Sequence, residues 1–186
     1  MDRTWKRLSR ELVVDTPYYK VALDHVVRPD GAEDTYVVAM PHDAVYIVTV
    51  TVTGRIVLVR QYRYTLDAET LEIPAGMLKA GTDPLEQAQH ELEEEVGCRA
   101  PRVELIHTLK TSPGRQNQSY WIVLATGLPD GALSHANQEG DESISEVLSV
   151  SWDHLMSMID SGELRDTASI AALLLYARRA GLPITR

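Results

Sequence analysis

The sequence predicts an α+β fold or a mixed-sheet sandwich, carrying an added N-terminal β-hairpin. Three observations lead there: β-branched runs recur along most of the chain, one amphipathic helical pattern interrupts them near the middle, and two more helical patterns close it. Tyr18 to Val27 and Thr35 to Met40 flank Pro29-Asp30-Gly31, a strong turn signal, and predict the N-terminal hairpin. Val45 to Thr53 and Ile56 to Tyr62, joined at Gly54, predict a second hairpin that runs into Arg60-Gln61-Tyr62-Arg63. The central helix has its own punctuation. Asp83 suits the N-cap, Pro84 the first helical position, Glu86 a capping box, and Gly97 a left-handed stop. Strands follow at Val103 to Thr108, Tyr120 to Ala125 and Glu146 to Ser151. One closing helix spans about Asp153 to Asp160. The other starts from a cap near Asp166 and carries Ile170, Leu173, Leu174 and Ala177 on one face before Gly181.

Composition narrows the class of molecule. With 186 residues, 44% of them hydrophobic, the chain has material for one full core plus a modest extension. A net charge of −9 with no basic run offers no counterion-release surface, which argues against nucleic-acid or anionic-membrane partners. The single cysteine excludes an internal disulfide and points to a reducing setting; Cys98 reads as a small buried hydrophobe rather than a nucleophile. No apolar run has the length of a membrane span, and Met1 to Arg10 is too polar for a secretory leader, so the expected location is cytoplasmic. His25, His42, His107, His135 and His154 lack zinc-type spacing. Neither a Gly-x-Ser-x-Gly elbow nor a Walker loop is present.

The chemistry concentrates on the central helix. At about 100° per residue, Glu91, Glu94 and Glu95 share an arc of about 100°, while Glu93 points away. Acidic helix faces are commonly just solvated surface. Here, however, Leu85, Ala88, Leu92 and Val96 form an apolar stripe about 100° round from the carboxylates, which sets the acids at the boundary of a core. Carboxylates in that position repel one another, so they must take up protons or share a cation. Magnesium suits the second solution, because it takes oxygen ligands, keeps several waters and accepts substrate phosphates. Gly76 and Gly81 let the preceding loop turn and bring backbone close to a ligand, although both also serve as ordinary turn residues.

The segment from Gly76 to Cys98, GMLKAGTDPLEQAQHELEEEVGC, resembles the Nudix signature G-x5-E-x7-R-E-U-x-E-E-x-G-U, with U apolar. Gly76, Glu91, Leu92, Glu94, Glu95, Gly97 and Cys98 match; Thr82 replaces the first Glu, and His90 replaces the Arg. In the family those two positions help orient the metal-binding acids, so the replacements imply retained ligands with looser support. The resemblance implies an α/β/α sandwich over residues 41–186, with residues 1–40 as an N-terminal β extension. It also implies metals, magnesium or manganese, held by the Ala75 carbonyl with Glu91, Glu94 and Glu95. Within the family, the N-terminal hairpin, Arg60-Gln61-Tyr62-Arg63, Glu72-Ile73-Pro74-Ala75-Gly76, and Pro113 in Thr111-Ser112-Pro113-Gly114 resemble the ADP-ribose pyrophosphatase branch. That branch implies cleavage of the diphosphate of ADP-ribose or a related nucleoside diphosphate sugar, giving a nucleoside monophosphate and a sugar phosphate. It further implies a homodimer in which residues 1–40 complete the partner's site; the competing reading has the hairpin cap its own domain.

Several side chains follow as candidates. Glu142, in the late loop Gly140-Asp141-Glu142-Ser143-Ile144, is the expected base or additional ligand beside Glu91 and Glu95, with Glu139 and Asp141 behind it; a solvated loop is the alternative. Arg63 is expected to contact phosphate through its planar fork, and Arg60 is a less favoured alternative. Arg115 stands where relatives carry a bulky apolar residue, so it either adds a phosphate or sugar contact or faces water. Gly76 is expected to lie against the substrate. Trp5, Tyr18, Tyr19, Tyr46 and Tyr62 are expected to pack more readily than to stack on a base. His90, beside the acids, either titrates near neutral pH or is a spectator. The rival functions are a Nudix hydrolase for GDP-mannose or a dinucleotide, and a binding module that has lost turnover.

Overall fold

Three antiparallel strands, β1 (Lys6–Asp15), β2 (Tyr19–Val27) and β3 (Glu33–Pro41), form the sheet of the first of two units in the computed structural model. The structure describes residues 3–131, 133 and 143–184. The first unit comprises Met1–Asp43 with Lys110–Ser119, and the second Ala44–Leu109 with Tyr120–Arg186. The expected hairpin is β2 and β3, turning at Gly31 with φ of 87°. Strand β1 was not anticipated, because its register against β2 shifts twice, between Arg7 and Ser9 and between Leu12 and Val14, which scrambles the period-two pattern. All ten of its residues are exposed. Its neighbour in the sheet, β2, alternates correctly and buries Ala22, Asp24 and Val26. Residues of the 110–119 segment join the same unit, where Ala39 N–H donates to the Arg115 carbonyl at 2.9 Å.

The second unit is built on a mixed sheet of β4 (Ala44–Thr51), β5 (Ile56–Arg63), β6 (Ala68–Glu72), β7 (Ala75–Met77), β8 (Arg102–Lys110), β9 (Ser119–Leu128) and β10 (Ile144–Val150). Its main order is β10-β5-β4-β9-β8, with β6 paired to β5 and β7 to β4. Strands β4 and β9 run parallel, while β5 pairs antiparallel with β6 and β10. Alternation along the central strands feeds two cores. Val48, Leu58, Ile122 and Leu124 pack with Trp152, Leu155 and Leu173 from helices α2 (Trp152–Ser161) and α3 (Thr167–Ala180). On the opposite face, Ile47, Val57 and Val123 pack with Ala88 of helix α1 (Pro84–Glu91) and with Leu92 and Val96. Helices on both faces of one sheet make this unit an α/β/α sandwich.

Two features lie beyond the expected elements, and one expectation, the Glu86 capping box, needs correction. The segment around Pro74 is not without strands: β6 and β7 flank it, each short, with pairing supplied by β5 and β4 rather than by sequence pattern. Nor is the central helix uniform. After Glu91 it widens into a π-helical segment, Leu92–Val96, before Gly97 stops it with φ of 78°. Its N-cap is Asp83 alone, accepting from Leu85 N–H at 3.0 Å; Glu86 makes no return bond among the described residues. Among the described residues no helix is long and apolar enough to cross a membrane.

Candidate active site

The end of β5, strand β7, and the α1 to π-helix junction enclose a cavity of about 310 Å³ in the second unit. Arg63 and Gln61 come from β5, Ala75 and Gly76 from β7, and Gln87, Glu91, Glu94 and Glu95 from the helix. The apolar stripe explains why the acids are buried. Leu92 and Val96 are driven into the core, which drags their neighbours Glu91 and Glu95 down to 6% and 2% exposure. In the π-helical turn, bonds close from i to i+5, so each residue advances less round the axis than in an α-helix, which re-aims Glu94 and Glu95.

Each acid has a separate donor. Gln87 Nε2 donates to Glu91 Oε1 at 2.7 Å, Ala75 N–H to Glu95 Oε2 at 3.0 Å, and His90 Nδ1 lies 2.7 Å from Glu94 Oε2. Among the described residues no group of three or more His, Cys, Asp or Glu side chains is gathered closely enough to make a ready metal cage. The acids instead spread onto neighbouring donors, which lessens their mutual repulsion. The donor set nonetheless fits a hard divalent cation that takes few protein oxygens and keeps water. A second feature of the site agrees: any Cβ on residue 76 would overlap the Glu91 carboxylate, so only glycine leaves that group its place.

The structure also accounts for the two departures from the signature. His90, at the position of the missing Arg, still contacts Glu94. Thr82 has no place in the cavity lining, and the support on Glu91 comes from Gln87, one turn earlier on the helix. The i, i+4 spacing of Gln87 and Glu91 was the sequence signal for that contact.

Arg63 and Arg60 are separated by strand alternation. Register places Gln61 opposite Thr70 and Arg60 opposite Leu71, so Arg63 shares the face of Glu72 and Arg60 takes the other. The Arg63 guanidinium donates from Nε and Nη2 to the two oxygens of buried Glu72, at 2.9 and 2.6 Å, and Thr70 Oγ1 donates to the same carboxylate at 2.5 Å. Burial pushes the Glu72 carboxyl up, but the bonds from Arg63 and Thr70 and the Arg63 charge outweigh it and hold the group below its ordinary value. Arg60 is engaged by Glu146 at 3.1 Å and Glu163 at 3.3 Å, away from the cavity lining. Arg115 belongs to the first unit, in a turn where its N–H donates to the Ser112 carbonyl at 2.8 Å.

Glu142, Glu139 and Asp141 lie outside the described residues; Ser143 lines the cavity. Lys79, which the sequence reading passed over, also lines it, and has no hydrogen-bond or ion-pair partner among the described residues. Of the aromatic candidates only Tyr46 is not exposed, and Tyr62 lines the cavity. Tyr46 packs against Tyr120 in a tilted pair with centroids 4.6 Å apart, Trp5 meets Tyr36 edge-on at 5.6 Å, and Tyr62 donates to Asp67 at 2.8 Å. Tyr18 and Tyr19 are exposed in the first unit. Cys98 is half-buried, and desolvation pushes its thiol up, consistent with a packing role.

Comparison with known proteins agrees with this layout. Residues 40–173 match the NUDIX domain, and residues 5–38 match the nucleoside diphosphate sugar hydrolase N-terminal domain. The chain is 28% identical over 168 residues to an ADP-ribose pyrophosphatase of Bacillus subtilis, covering 90% of each. It is 34% identical over 139 residues to an ADP-ribose pyrophosphatase of Mycobacterium tuberculosis, covering 74% of this chain and 67% of that one. A methanol dehydrogenase activator of Bacillus methanolicus is 29% identical over 168 residues, again covering 90% of each. In fold, the chain matches a crystal structure of an ADP compounds hydrolase with a TM-score of 0.80 at 23% identity, covering 95% of this chain and 96% of that one.

Proposed function

The chain belongs to the Nudix family of hydrolases, and from that premise we propose that it hydrolyses the diphosphate bond of ADP-ribose or a related nucleoside diphosphate sugar, releasing a nucleoside monophosphate and a sugar phosphate. The observation that carries this reading is one cavity lined both by the three helix carboxylates and by Arg63. The match of residues 5–38 to a nucleoside diphosphate sugar hydrolase N-terminal domain supports the substrate class.

On this reading Glu91, Glu94 and Glu95, with the Ala75 carbonyl, hold a divalent ion, magnesium first and manganese second. When bound, that ion supplies charge stabilisation at the diphosphate oxygens and a more acidic water. The chain's own residues do the positioning. Gln87 and the Ala75 N–H keep Glu91 and Glu95 from swinging out of the cavity. Arg63 binds a phosphate oxygen through the part of its guanidinium that Glu72 leaves open. Lys79 adds a second cation on the same lining. Gly76, lacking a Cβ, leaves the Glu91 carboxylate its place on the cavity lining. Glu142 is the proposed base, supported by its neighbour Ser143 being part of the lining.

The same reading makes the protein a cytoplasmic homodimer. Support for the dimer is the ten-residue edge strand β1, with Leu8, Leu12, Val13 and Val14 all exposed. Support for the location is the lone Cys98, which forms no internal disulfide.

A panel of nucleotide sugars and dinucleotides, incubated with magnesium and the wild-type or Glu95→Gln protein, tests the function. The expected result is ADP-ribose or a close relative cleaved by the wild type, with turnover reduced roughly a hundredfold or more in the variant. Tight binding of ADP-ribose without any cleavage would overturn the proposal in favour of a binding module.

A further inference from the structure

We infer that Glu72 is a positioning residue for substrate binding: by gripping Arg63 along its Nε and Nη2 edge, it presents the remaining Nη1 edge of the guanidinium as a fixed fork for a phosphate. The inference rests on the proposed diphosphate substrate and deepens it.

The grip is built from several independent contacts. Glu72 is 5% exposed, at the end of β6, and receives Arg63 through both carboxylate oxygens, at 2.9 and 2.6 Å. Thr70 Oγ1 donates to Oε1 at 2.5 Å, and Gln61 Nε2 lies 3.4 Å from Oε2. The carboxylate therefore cannot rotate without breaking bonds to two strands at once. A guanidinium is planar, so fixing one edge fixes the other. Among the described residues Nη1 has no partner, and the Arg63 side chain that carries it lines the cavity and is 42% exposed. Thus an otherwise floppy side chain arrives at the cavity already ordered, and little of its freedom remains to be lost when a ligand binds.

A purely electrostatic role makes the opposite prediction. The Glu72 charge repels an incoming anion, so removing it with no loss of positioning would tighten binding and lower KM. If positioning dominates, the same change loosens Arg63 and raises KM. The sign of the change separates the two.

The test measures magnesium-dependent hydrolysis of ADP-ribose by Glu72→Gln, Thr70→Val, Arg63→Lys and the Arg63→Lys/Glu72→Gln pair, with binding of inorganic pyrophosphate read by calorimetry on the same proteins. Glu72→Gln should raise KM and the pyrophosphate Kd about tenfold, about 1.4 kcal/mol, with kcat within about twofold of wild type. Thr70→Val, the milder change, should raise both about threefold and carries the test if Glu72→Gln folds poorly. In the Arg63→Lys background Glu72→Gln should add less than about twofold, because its effect runs through Arg63. A lowered or unchanged KM and Kd, or an equal tenfold effect in the Arg63→Lys background, would overturn the inference. If the wild type leaves ADP-ribose intact, the substrate reading fails, while the pyrophosphate arm still decides the role of Glu72.

Discussion

The molecule uses the same ion pair twice, and for different ends. In the sheet of the first unit, Arg10 donates from Nε and Nη2 to Asp24 at 2.6 and 2.7 Å; in the second unit, Arg63 does the same to Glu72. Both acid side chains are 7% exposed, and both carboxyls are held below their ordinary range. What differs is the far edge of the guanidinium. Arg10 Nη1 rests on the Met40 sulfur at 3.4 Å, so its donors are absorbed by its own sheet, whereas Arg63 Nη1 has no partner among the described residues and belongs to a cavity lining. On the proposed reading, a buried pair alone does not mark a binding site; the uncommitted edge on a cavity lining does.

Variants at the two places should fail in different ways. A large effect, comparable with that of Glu95→Gln, is expected in the cavity from Gly76→Ala, where the new methyl collides with the Glu91 carboxylate: hydrolysis should fall roughly a hundredfold, a loss of about 2.7 kcal/mol of transition-state stabilisation. Activity within a factor of about two of wild type would show that the Glu91 position is not critical. Next is Asp24→Asn, which should cost about 1–3 kcal/mol of stability in urea unfolding and change KM far less than Glu72→Gln does. A comparable rise in KM would erase the distinction between the two pairs.

Acid should act on both pairs in the same direction. Bonds from Arg10 lower Asp24 against the opposing effect of burial, aided by the charges of Arg10 and Arg7, and Glu72 ends up lowered as well. A depressed folded value means that the stabilisation is present above the unfolded value near pH 4 and is lost as pH falls through the folded one. Unfolding free energy should therefore drop below about pH 4, and less steeply in Asp24→Asn and Glu72→Gln. Unchanged slopes would contradict the assignment. The smallest effect on stability is expected from Leu12→Glu on exposed β1, within about 0.5 kcal/mol, yet it should convert a dimer to a monomer in sedimentation. A variant that stays dimeric would remove β1 from the interface.

How much of this was legible in the sequence depended on how local each signal is. The apolar stripe Leu85, Ala88, Leu92 and Val96, the Asp83 cap and the Gly97 stop are local patterns, and together they located the helix and the acids along its edge. The π-helical widening was hidden, since Leu92–Val96 carries no Gly or Pro that would signal a change of helix type. Strands β1, β6 and β7 were hidden for different reasons: β1 is bulged against its neighbour β2, β6 and β7 are short, and β7 is held by β4, which is distant in sequence. Of the two arginines in the β5 segment, only the register against β6 decides which shares a face with Glu72, and that register is a tertiary fact. Gln87 was within reach, because its spacing from Glu91 is helical and its burial follows from the same stripe.

The account rests on a divalent ion shared by Glu91, Glu94 and Glu95, and calorimetric titration of magnesium and manganese into the protein, with ADP present and absent, tests it most directly. Wild-type protein should take up the ion at neutral pH, and Glu95→Gln should weaken that uptake roughly tenfold or more. No heat of binding in the wild type under either condition, or identical uptake by Glu95→Gln, would contradict it.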